Sequence, residues 1–164
     1  RASGAAQSGC AVRTRARGWL ACAARLCSAA MIVGIGLDLI EVPRVARALS
    51  HPTRGERFRA RVYTAGEIEY CERRVRTAAQ SYAARFAAKE AVMKALGRGF
   101  GGGIGWREIE VVRGRGAPRI VVNGFAARLA AERGIARFHL SLTHTAETAM
   151  AYVIAEGDGA PAGS

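Results

Sequence analysis

The stretch "AAQSYAARFAAKEAVMKALG", residues 78–97, limits the fold of this chain more than any other. It is rich in alanine, the best helix former, and Gly97 supplies a stop. Ala88, Val92 and Leu96 repeat every four residues with Ala91 and Ala95 beside them, which marks the core face of a long helix. Shorter segments surround it. "MIVGIGLDLIEV" from Met31 is an apolar run that reads as a buried strand. "PRVARALS" opens a helix with Pro43 in its first turn. Residues 51–61 are polar and basic and read as a surface segment, and "TAGEIEYCERR" starts a helix with the Thr64–Glu67 capping-box pattern. Beyond a glycine loop, "WREIEVVRG" and "APRIVVNG" read as two strands, "FAARLAAERG" as a helix, and "RFHLSLT" and "TAMAYVIAE" as two further strands. Helices and strands mix without regular alternation. The expectation is an α+β fold, a mostly antiparallel sheet packed on the long central helix.

Charge is unevenly placed. The 164 residues carry a formal net charge of +12, and lysine occurs only at 89 and 94. Residues 1–30 contain five arginines, no acid and three of the four cysteines. This leader reads as a transit-type sequence or as an upstream extension before a natural start at Met31. The domain is expected over 31–157, with a disordered tail over 158–164. Only Cys71 falls inside the domain, so neither a disulfide framework nor a paired-cysteine metal site is expected, and a reducing compartment fits. No apolar run approaches the length of a membrane span. The basic surplus favours an acidic partner: nucleic acid, a polyphosphate ligand, an anionic membrane or an acidic protein.

Candidate chemistry gathers at a few positions. Glu90 and Lys94 are four apart on one helical face, with Phe86 a turn before. On spacing alone the plainer reading is a surface ion pair worth about 0.3 kcal/mol, with Lys89 a solvated charge. Asp38 interrupts an apolar strand, where an unsatisfied carboxylate is costly. It either faces water at the strand end or is held rigidly at the sheet rim. In the second case Asp38 and Glu90 could share one magnesium ion, which prefers oxygen donors and is typically held by one or two carboxylates plus substrate phosphates. Lys94 and Lys89 would then neutralise phosphate oxygens. His144, beside Ser141 and Thr143 at a strand end, is either structural or a phosphate or proton partner. The loop opened by Gly97 and Gly99 could cradle phosphate through its N–H groups, although it matches no standard nucleotide motif.

Taken in order, "GIGLDLIEVPRV", "YTAGEIEYC", "RFAAKEAVMKALGRGF", "WREIEV" and "FHLSLTHTAETAMAYVIAE" resemble the holo-(acyl-carrier-protein) synthases, small phosphopantetheinyl transferases of fatty-acid synthesis. The resemblance spans about residues 31–156. It implies transfer of 4′-phosphopantetheine from coenzyme A to a serine of an apo acyl carrier protein, with release of adenosine 3′,5′-bisphosphate. It further implies Asp38 and Glu90 as magnesium ligands, with Lys94, His144, Ser141, Thr143, Gly97, Gly99 and, more weakly, Lys89 around the coenzyme. Arg44 and Arg47 would dock the carrier protein. A cytoplasmic homotrimer with active sites at subunit boundaries is implied as well. Leu37, Tyr63 and Arg98 depart from the usual family pattern without removing a ligand. The competing reading is a basic nucleic-acid-binding domain without catalysis; few aromatics and no RNA-binding fingerprint speak against it.

Overall fold

The computed structural model describes residues 30–99 and 102–158. The leader and tail readings therefore lie, but for residues 30 and 158, outside the described residues. In chain order the elements are β1 (Met31–Glu41), α1 (Val42–Leu49), α2 (Gly55–Val62), α3 (Ala65–Glu72), α4 (Ala78–Ala95), β2 (Ile109–Val112), β3 (Arg119–Val122), α5 (Gly124–Glu132), β4 (Ile135–His144) and β5 (Thr148–Gly157). The strands form an antiparallel sheet of order β1-β5-β4 and a separate antiparallel pair, β2-β3. This is the expected α+β arrangement, with α4 packed on one face of the larger sheet.

Close approach of α4 to β1 depends on two glycines. A Cβ at Gly36 would overlap the carbonyl oxygen of Ala91, and one at Gly34 that of Ala95. Small residues on both partners therefore let the backbones touch. Ala83, Ala87, Ala88, Ala91, Val92 and Leu96 lose all solvent contact, so the helical stripe read from the sequence is the core. Alternation in β1 turns Gly34, Gly36 and Asp38 toward α4. Ile35, Leu37 and Leu39 point the other way and stay 53, 49 and 60 % exposed, beside Tyr152 of β5.

Local signals explain the element ends. Thr64 and Glu67 form the capping box at the start of α3, each side chain accepting from the other's backbone N–H. After α4 the chain turns at Gly97, whose φ of 62° is left-handed. Gly97 N–H donates to Lys94 O and Arg98 N–H to Met93 O, the paired bonds of a Schellman stop. Residues 51–61 lie mostly at the surface, as expected, but no helix was read there. They include most of α2, which anchors Phe58 and Val62 to the core although its remaining side chains are mainly charged. The strand read over "WREIEVVRG" is shorter than expected: a 3-10 turn at Trp106–Glu108 precedes it.

Candidate active site

Asp38 and Glu90 come from β1 and α4, yet they line one cavity of about 620 Å³. Phe86, Glu90 and Lys94, spaced by one turn each, form its helical wall. The Lys94 ammonium donates to Asp38 Oδ1 at 2.9 Å and to Leu37 O at 2.8 Å. So the lysine pairs with the strand carboxylate and not simply with Glu90 along the helix. Burial, followed by the like charge of Asp38, pushes Glu90 above its ordinary range; Lys94 and Arg44 pull it back. Two carboxylates crowded together with cations at the edge form an oxygen-rich site that gains from a bound cation.

Arg44 also lines this cavity, together with Arg61 and Trp106. It belongs to the mouth of the site as well as to the surface. Arg47, Arg54 and Arg57 are exposed on α1 and on or just before α2, with Arg54, Arg57 and Arg61 around an apolar hollow beside Phe58. Arg59 does not join this basic face, because Glu56 and Glu72 each hold it at 2.6 Å.

A second cavity of about 360 Å³ lies at the β4 edge. Arg85 and Ser81 of α4, Arg74, Arg113, Leu142 and His144 are among its walls. The guanidinium groups of Arg85 and Arg74 lie 3.8 and 4.5 Å from the centre of the Tyr70 ring. Arg85 is 5 % exposed, and its Nε has no hydrogen-bond partner. One buried arginine with the exposed Arg74 and Arg113 on the same cavity makes a cationic hollow that suits a multiply charged anion.

Residues 34–153 match the 4′-phosphopantetheinyl transferase superfamily. A holo-(acyl-carrier-protein) synthase of Anaeromyxobacter sp. (strain K) is 51 % identical over 130 residues, covering 79 % of this chain and 99 % of its own length. The chain belongs to the holo-(acyl-carrier-protein) synthases. It is an enzyme of that family, and its fold agrees. The synthase of Neisseria meningitidis superposes with a TM-score of 0.67 at 32 % identity, covering 76 % of this chain and 98 % of its own. A Bacillus anthracis synthase in complex with CoA (3′,5′-ADP) superposes with a TM-score of 0.61 at 33 % identity, covering 77 % and 98 %.

Within this synthase the reading of Lys89 needs correction. Lys89 is neither solvated nor free to meet phosphate. It is fully buried, 2.8 Å from Glu67 Oε2, and donates to the carbonyls of Trp106 and Ile109, so its three N–H groups are engaged. Gly97 serves the helix stop and faces the Arg133 guanidinium, and neither Gly97 nor Gly99 lines a cavity described above. Gly103 and Gly105, farther along the same loop, do line a neighbouring cavity. His144 does not meet Asp38 within one chain, since β5 separates their strands and their cavities share no residue. Ser141 and Thr143 are exposed on the opposite side of the sheet from the half-buried Leu142. Arg74, Arg85 and Arg113 were not singled out from the sequence. The available signal was Arg85, a lone arginine in an alanine-rich buried helix.

Proposed function

We propose that this synthase transfers 4′-phosphopantetheine from coenzyme A to a serine hydroxyl of an apo acyl carrier protein, with Mg²⁺ between Asp38 and Glu90, in cytoplasmic fatty-acid synthesis. The observation that carries the reading is one cavity lined by two carboxylates from distant elements, with Lys94 and Arg44 at its rim. The donor set fits magnesium: oxygen ligands, two carboxylates, and room for substrate phosphates to complete the shell. Among the described residues no cluster of three or more His, Cys, Asp or Glu could hold a metal without such help. Bound magnesium would offset charge on the diphosphate as its anhydride bond breaks.

The chain's own groups do the remaining work by position and charge. Lys94 fixes Asp38 and keeps one N–H for a phosphate oxygen. Arg44 lies beside Glu90. Glu90, whose proton affinity burial raises, is the acceptor for the serine proton. The Arg74, Arg85, Arg113 and His144 cavity suits the phosphates of an adenosine bisphosphate, the kind of ligand bound by the Bacillus anthracis relative.

Those two cavities sit at opposite edges of the sheet, which supports a site that one chain alone does not complete. A neighbouring copy presenting its β4 edge to this chain's β1 edge would. Repeated head to tail, that contact closes into a ring, a trimer on the family resemblance. The exposed apolar row of Ile35, Leu37, Leu39 and Tyr152 is a surface that such packing would cover. Arg44, Arg47, Arg54 and Arg57 offer an acidic carrier protein a basic face that raises its on-rate and loses strength with salt. Buried Cys71, its thiol pushed up to about 12 by desolvation, is inert and fits a reducing compartment.

The test is incubation with apo acyl carrier protein, coenzyme A and magnesium, read by intact mass. The carrier should gain the mass of the phosphopantetheine arm. Asp38→Ala and Glu90→Ala should each cut the rate by about 100-fold or more. A carrier of unchanged mass with the unsubstituted enzyme would overturn the reading.

A further inference from the structure

A buried ion pair lies directly behind the active-site face of α4. Lys89 precedes Glu90 in sequence, but its ammonium points away from solvent and meets Glu67. Between them the two side chains hold three main-chain groups of one short segment. Lys89 donates to the carbonyls of Trp106 and Ile109, at the two ends of the 3-10 turn. Glu67 Oε1 accepts from Val111 N–H at 3.0 Å. The other carboxylate oxygen accepts from Thr64 N–H at 3.0 Å, which ties the start of α3 into the same cluster.

What the pair holds is a wall of the site. Trp106 packs on Phe86 with ring centres 4.7 Å apart. It lines both the Asp38–Glu90 cavity and a neighbouring one of about 790 Å³. Gly102, Gly103 and Gly105 just before it give the segment little stiffness of its own. Ion pairs taken out of water stabilise a fold weakly, because desolvation offsets their attraction. The value of this one lies in fixing geometry.

We propose that Lys89 and Glu67 are positioning residues. They clamp the turn at Trp106–Glu108 to α4 and α3, and so set the partition between the two cavities at the distance from Glu90 that coenzyme A requires. This rests on the transferase reading above, because it takes coenzyme A as the ligand bordered by Trp106.

The test uses the full chain in a Trp19→Phe background, which leaves Trp106 as the sole tryptophan. The double variant Glu67→Gln/Lys89→Met removes both charges together and leaves neither stranded. Glu67→Asp keeps the pair. In the folded double variant, Trp106 emission should shift to the red and acrylamide quenching should rise. KM for coenzyme A should rise about tenfold while kcat falls by less than about threefold. Glu67→Asp should fall between the double variant and the unsubstituted protein. A folded double variant with unchanged KM and unchanged Trp106 emission overturns the proposal.

Should the double variant fail to fold, time-resolved anisotropy of Trp106 in the otherwise unsubstituted protein decides. The ring should tumble only with the whole molecule before coenzyme A is added. A fast local motion that disappears on adding coenzyme A would show that the ligand, and not the pair, builds the wall. Absence of carrier modification by the unsubstituted enzyme would instead count against the transferase reading, whatever the tryptophan reports.

Discussion

Two acidic residues of this synthase were legible for different reasons. Asp38 stood out because a carboxylate within an apolar strand needs a partner, and the structure supplies Lys94. Glu90 was marked by its spacing from Lys94 and Phe86, which holds on the folded helix. Lys89 was misread because its partner, Glu67, belongs to another helix, and no local pattern signals a pairing across elements. Glu90 also carries a test. Its folded-state pKa lies above the ordinary 4.5, so the native state holds that proton more tightly than the unfolded chain does. The cost of ionising it is absent below the ordinary value and grows as pH rises through the folded one. In chelator-treated protein, Glu90→Gln should therefore be more stable than the unsubstituted chain at neutral pH. The gap should close as pH falls toward 4.5, as melting curves across that range would show. Magnesium at neutral pH should restore the unsubstituted chain and leave the variant unmoved.

At the level of elements, the positions of the strands and the long helix followed from patterning, but β1, read as buried, is an edge strand with Ile35, Leu37 and Leu39 exposed. The capping box placed the start of α3 to the residue, since Thr64 and Glu67 satisfy each other's backbone without outside help. α2 was missed because it holds only Phe58 and Val62 to the core, too few apolar positions to show a period. Contact between β1 and α4 was invisible for the opposite reason: it is made by the absence of side chains. Gly36 is its narrowest point. A Gly36→Ala change must push the strand away from Ala91, with Asp38 two residues on. Such overpacking costs about 1–3 kcal/mol. The variant should melt several degrees lower and lose magnesium-dependent transfer beyond what its folded fraction explains, as thermal melts and the mass assay together would reveal.

For the whole molecule, the residues named from the sequence lie at two cavities, and no single segment encodes how far apart these are, because strand order is set by pairing. With order β1-β5-β4, Asp38 and His144 cannot be neighbours in one chain. Complementation follows from that. Asp38→Ala and Arg85→Gln subunits, each inactive alone, should regain activity when dissociated and reassembled together, since mixed contacts pair an intact β1 edge with an intact β4 edge. A reassembled mixture that stays as inactive as either variant alone would count against it. The strand order has a kinetic corollary. On the proposed site shared between copies, turnover per chain should vanish on dilution well before the fold is lost. Subunit concentration then acts as a throttle on the reaction.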